Sequence, residues 1–146
     1  MDMVVDCFPG FKSLYVSCTI SIPVLIVAAF YPTEGRLYIV AIALFFVVLG
    51  RELCMDFVDR AGDAVSFMHR IDERPLAVAA FSSQAIGLLL LVGQAAEPLD
   101  ILVIILMASL LALAGRYWFK LASHKKAIAL MKGQLFVGLY FLSKPL

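Results

Sequence analysis

Long apolar runs separated by short polar breaks set the pattern of this chain. They cover residues 13–31, a stretch that starts at residue 37, and residues 75–93, 99–119 and 127–142. A membrane-crossing helix needs about 20 mostly apolar residues. Each run qualifies, some by taking in a terminal charge. The strictly apolar part of the second, residues 37–49, is too short alone, so its helix is expected to continue past Arg51. The first contains Pro23, expected to kink it, with Ser17, Thr19 and Ser21 placed to satisfy freed backbone groups. The third opens on Pro75, a good first-turn residue. The fourth ends in "RYWF", which supplies interfacial aromatics. Lys132 lies inside the fifth, where snorkelling to the interface is favoured over facing the bundle. The pattern predicts an all-α, polytopic membrane helix bundle of about five transmembrane helices, with residues 1–146 forming one transmembrane domain.

Composition agrees. Of 146 residues, 63% are hydrophobic and only 16% charged, with a mean hydropathy of +0.98. Soluble domains are about a quarter charged. No basic stripe or nucleic-acid module is visible, so no nucleic-acid partner is expected. Cys7, Cys18 and Cys54 are scattered, without a metal or disulfide framework, and read as free thiols. Asp2 and Asp6 stand where a secretory signal would carry basic residues, so a cleaved signal is not expected.

Charge sets the expected orientation. With five spans, one side holds Lys12, Arg51, Arg60, Arg70, Arg74, Arg116, Lys120, Lys125 and Lys126, nine of the twelve Lys and Arg residues. The other side holds Arg36 and Lys144. The positive-inside rule then puts the first side in the cytoplasm.

The second run ends in "GRELCMDFVDRAGD", on that same side. Glu52, Asp56, Asp59 and Asp63 step by four, three and four residues. On a helix, all would share a face, where like charges repel by roughly 0.2–0.5 kcal/mol per pair even when exposed. A cation reverses that sign. Mg²⁺ suits the pattern, being held by one or two carboxylates with waters and substrate phosphates completing its shell. Arg51 and Arg60 add the basic groups that a diphosphate needs. Gly62 would allow close approach beside Asp63. The competing reading is a solvated loop in which Arg51, Arg60 and Arg70 pair with the acids.

The segment "RELCMDFVDRAGD" resembles the second aspartate-rich motif of the UbiA superfamily of intramembrane prenyltransferases, its D-x-x-x-D core falling on Asp59 and Asp63. "FPGFK" is similar to the family's Y-x-x-x-K element, with Phe8 for tyrosine, then Pro9 and Lys12. The order of Lys12, helices and acidic motif matches the family's helices five to nine. The resemblance implies transfer of an isoprenoid chain from a prenyl diphosphate to an aromatic or lipid acceptor in the membrane. It implies Mg²⁺ on Asp59 and Asp63 with Asp56 supporting, Lys12 neutralising the leaving diphosphate, and Arg51 and Arg60 helping to bind it.

The family's first motif, N-x-x-x-D-x-x-x-D, has no counterpart here, since the sequence contains no asparagine. The glycine that follows the family's second motif is absent from "AVSFMHRIDERPLAV", and "ERPLAV" matches the Thr-Leu-Pro-like stretch only loosely. The chain thus reads as half of an active site, expected to need a separate N-terminal half. The alternative is a non-catalytic membrane protein or helical subunit that keeps the acidic motif. A CDP-alcohol phosphotransferase is not expected, because neither "DG" nor "AR" occurs. His69 and His124 sit singly in polar loops, without paired ligand spacing. Ser82, Ser83 and Gln84 lie inside the third run and are expected to serve helix packing.

Overall fold

The computed structural model describes residues 11–30, 35–59 and 72–143. Cys7, Phe8, Pro9, Arg60, Gly62, Asp63, His69, Arg70 and Lys144, named above, lie outside the described residues. Among the described residues, six helices follow in order: α1 (Phe11–Phe30), α2 (Arg36–Asp59), α3 (Glu73–Val92), α4 (Pro98–Phe119), α5 (His124–Gly138) and α6 (Tyr140–Ser143). No strand occurs among the described residues. The chain is an all-α bundle, and α1 to α4 are each long and apolar enough to cross a membrane.

The helix boundaries follow local chemistry. Within α1, Pro23 is accommodated without ending the helix. Its missing N–H frees the carbonyl of Thr19. The hydroxyls of Ser17 and Thr19 donate instead to the carbonyls of Ser13 and Tyr15, each one turn earlier. As expected, α2 runs on past Arg51, and its described residues reach Asp59. Helix α4 opens on Pro98, with Glu97 and Asp100 forming a reciprocal capping box.

The fifth apolar run does not form one helix. At 15 residues, α5 spans about 22 Å, short of the roughly 30 Å hydrocarbon core. After the break at Leu139, the N–H of Leu142 bonds the carbonyl of Leu139, three residues back. In this tightened turn the Tyr140 hydroxyl donates to Oδ1 of Asp100 at 3.1 Å, and Phe141 is buried. Lys132 is on the exposed side of α5, as the snorkelling expectation requires.

Helix α2 is the centre of the bundle and packs against α1, α3 and α5, while α4 lies on α5 and α3. Two apolar clusters stack along the bundle. One joins Cys54, Phe57, Ala77, Trp118, Ala127 and Met131, and the other joins Val40, Leu44, Leu91, Met107 and Phe141. The first draws on the ends of α2 and α4 and the starts of α3 and α5. Successive long helices therefore alternate in direction.

Inside a bilayer, helices gain little from excluding apolar surface, so close approach through small residues does much of the work. A Cβ on Gly50 would stand 2.3 Å from the carbonyl oxygen of Ala80, and one on Gly87 would stand 2.7 Å from that of Ala43. These two glycines set the α2–α3 contact. On α1, the buried residues Ser13, Ser17 and Ser21 recur every four residues and share one face. The outward residues, such as Ile26 and Phe30 on α1 and Leu102 and Ile105 on α4, are apolar and exposed, as a lipid-facing surface requires.

Candidate functional site

The last two turns of α2 carry Glu52, Asp56 and Asp59, and their exposure rises toward the helix end. Glu52 is buried and accepts a hydrogen bond from Nη1 of Arg51. The Asp56 side chain is 10% exposed, with its Oδ1 lying 3.6 Å from Nζ of Lys12. Its Oδ2 accepts a hydrogen bond from the hydroxyl of Ser13. Asp59, the last residue of α2, is exposed.

The partners of Asp56 come from the first turn of α1. Antiparallel packing lays that turn against the end of α2, and buried Ser13 and Ser17 let the backbones approach. A cation in the first turn of a helix opposes the macrodipole. The carboxylate of Asp56 offsets this for Lys12. The ammonium of Lys12 itself remains largely in the open, its side chain 58% exposed.

The structure therefore brings Lys12 and Asp56 together, with Asp59 one turn beyond. Arg51 turns into the bundle toward Glu52, its side chain only 15% exposed. Arg60 and Asp63 lie outside the described residues. The acids do not form one open face, because Glu52 and Asp56 are engaged within the protein. Among the described residues, no group of three or more His, Cys, Asp or Glu side chains is placed to hold a metal ion.

An aromatic floor lies beside this end. The rings of Trp118 and His124 are 4.3 Å apart, and Phe57 meets both edge-on or tilted. His124 Nε2 is 3.1 Å from Oε1 of Glu73, so this histidine ties the start of α5 to the start of α3. Ser83 donates to the carbonyl of Phe46, the packing role expected of it. Cys18 and Cys54 are free thiols.

Sequence reasoning missed Ser13 and Asp100. The four-residue recurrence of Ser13, Ser17 and Ser21 was the available signal for the first. For Asp100 it was an acid three residues after Glu97 with Pro98 between, a helix-start pattern.

No protein-family model matches the chain, and no curated protein and no solved structure shows significant similarity to it.

Proposed function

We propose that this chain is a multi-pass, Mg²⁺-dependent prenyltransferase, or the motif-bearing half of one, acting at the cytoplasmic end of its helices. The observation that carries this reading is the pair Lys12–Asp56 beside Asp59. It sets an exposed ammonium at the same end of the helices as the exposed carboxylate of Asp59, one turn beyond Asp56. A prenyl diphosphate needs both kinds of group there, since charge develops on its leaving oxygens as the C–O bond ionises. Basic residues gathered at this end favour the cytoplasmic side.

The residues fit Mg²⁺ in part. Both Asp56 oxygens are engaged by Lys12 and Ser13, so Asp56 positions Lys12. Asp59 is open, and one or two carboxylates suffice when phosphates complete the shell. Asp59 and Asp63 would hold the ion, which when bound supplies charge neutralisation of the diphosphate. Lys12 meets the leaving diphosphate directly, with Arg60 as a further binding group. Arg51 orients Glu52 from inside. The acceptor is a hydrophobic aromatic or lipid molecule reached from the bilayer.

The test is prenyl transfer by the full chain in nanodiscs with Mg²⁺, alone and co-expressed with candidate N-terminal halves bearing N-x-x-x-D-x-x-x-D. Asp59→Ala and Asp63→Ala are expected to abolish turnover. Undiminished activity in both variants removes the proposed site. A second reading, a non-catalytic helical subunit, draws on the internal engagement of Glu52 and Asp56. Absence of Mg²⁺-dependent prenyl diphosphate binding in every pairing supports that reading.

A further inference from the structure

Deep in the bundle, several polar atoms meet no protein group. Among them are both amide atoms of Gln84, both of Gln134, and Nε of Arg51. The two glutamines are wholly buried.

Their positions coincide in depth. Cγ of Gln84 lies 2.6 Å from where a Cβ on Gly50 would stand. Gln134 lies between Met131, which packs in the cluster with Cys54, and Gly138, which meets Leu44 and Met107. Gly50 falls in the same interval of α2, between residues 44 and 54. Arg51 follows Leu44 by two helical turns, on the stripe of α2 that turns toward α5. The glutamines thus flank α2 from α3 and α5, between the two apolar clusters.

Buried polar side chains almost always have a partner, and in hydrocarbon each unsatisfied group costs several kcal/mol. Each glutamine offers one carbonyl acceptor and two N–H donors, while Nε of Arg51 is a donor. An anion would leave the amide oxygens facing negative charge, and a cation would leave the N–H groups unmet. A neutral hydroxyl meets both kinds of group, giving its one O–H to an amide oxygen and accepting from N–H groups, and water, with two O–H donors, can reach both amide oxygens.

We propose that Gln84, Gln134 and Arg51 line an internal site for a hydroxyl group, supplied by water or by the alcohol head of an amphiphile from the bilayer. This site stands independently of the prenyl-transfer reading.

The sequence makes it observable. It contains three glutamines and no asparagine, so the side-chain amide region of a ¹⁵N spectrum holds three NH₂ pairs. The experiment uses the full ¹⁵N-labelled chain in micelles. Loss of a pair in Gln84→Leu or Gln134→Leu assigns it, and through-bond spectra of the wild type do so if a variant fails to fold. Gln94, in the turn after α3, reports bulk exchange. Cross-relaxation from water to the Gln84 and Gln134 amides is expected. Addition of n-decanol then separates the sources: loss of those cross-peaks with shifts of both pairs assigns the alcohol, and unchanged spectra assign water. Neither water cross-peaks nor decanol shifts at both residues would overturn the proposal. So would direct contact between the two amides without water.

Discussion

Nζ of Lys12 stands 3.6 Å from Oδ1 of Asp56, joining the first turn of α1 to the penultimate turn of α2. The Lys12 side chain is 58% exposed, so the pair's own contribution is modest. A double-mutant cycle of Lys12→Ala and Asp56→Ala is expected to give a coupling of about 0.2–1 kcal/mol. Denaturant unfolding in micelles measures it. A coupling of zero at low salt would mean that the two groups do not pair in solution.

Gly50 is expected to be intolerant of any side chain. A Cβ there would meet the Ala80 backbone at 2.3 Å, and backbone cannot swing aside as a flexible side chain does. Gly50→Ala should destabilise by about 1–3 kcal/mol, and Gly50→Leu by more. Gly133 is the control, since its nearest contact is Leu110 Cδ1 at 3.8 Å. Gly133→Ala should leave the midpoint unchanged or raise it slightly. Equal effects at both positions would contradict the α2–α3 packing.

Tyr140 and Asp100 hold the other end of the bundle. Oδ1 of Asp100 accepts from the Tyr140 hydroxyl, and Oδ2 accepts from the N–H groups of Ala96 and Glu97. Tyr140→Phe removes one donor and keeps the ring, so a loss of about 0.5–1.5 kcal/mol is expected. Asp100→Ala also strips the start of α4 of its cap and should lose more than Tyr140→Phe. The order of the two midpoints is the check.

Trp118 is the sole tryptophan, and the His124 ring lies tilted against it at 4.3 Å. His124→Ala should therefore alter Trp118 fluorescence and shift its emission to longer wavelength as water reaches the indole. Glu73→Gln keeps the stacking and should change the emission far less. An unchanged spectrum in His124→Ala would show that the floor at this end is not assembled as described.

Much of this architecture was legible in the sequence because bilayer thickness imposes a length on apolar runs. The start of α2 and both ends of α3 and α4 fell within two positions of expectation. The extension of α2 beyond Arg51 followed from the same length argument. The fifth run was harder to read. Its apolar residues run on past Lys132 and Gln134 to residue 142, yet the helix breaks at Leu139, where the chain turns so that Tyr140 reaches Asp100. At the acidic stretch, Glu52, Asp56 and Asp59 do lie toward the end of α2, while Asp63 is outside the described residues. Spacing could not tell that Ser13 and Lys12 would claim Asp56, because that depends on which helix packs there. The orphaned amides of Gln84 and Gln134 were also hidden, since periodicity marks a residue as inward but says nothing of its partners.

Helix α1 rests chiefly on α2, and most of its circumference faces outward. A helix held along one seam can answer a change in bilayer thickness by tilting, at a modest energy per ångström of mismatch. Such a tilt would carry Lys12 along the end of α2, toward Asp59 or away from it. The lipid in which the chain sits thus becomes a determinant of how closely its exposed cation and exposed acid approach.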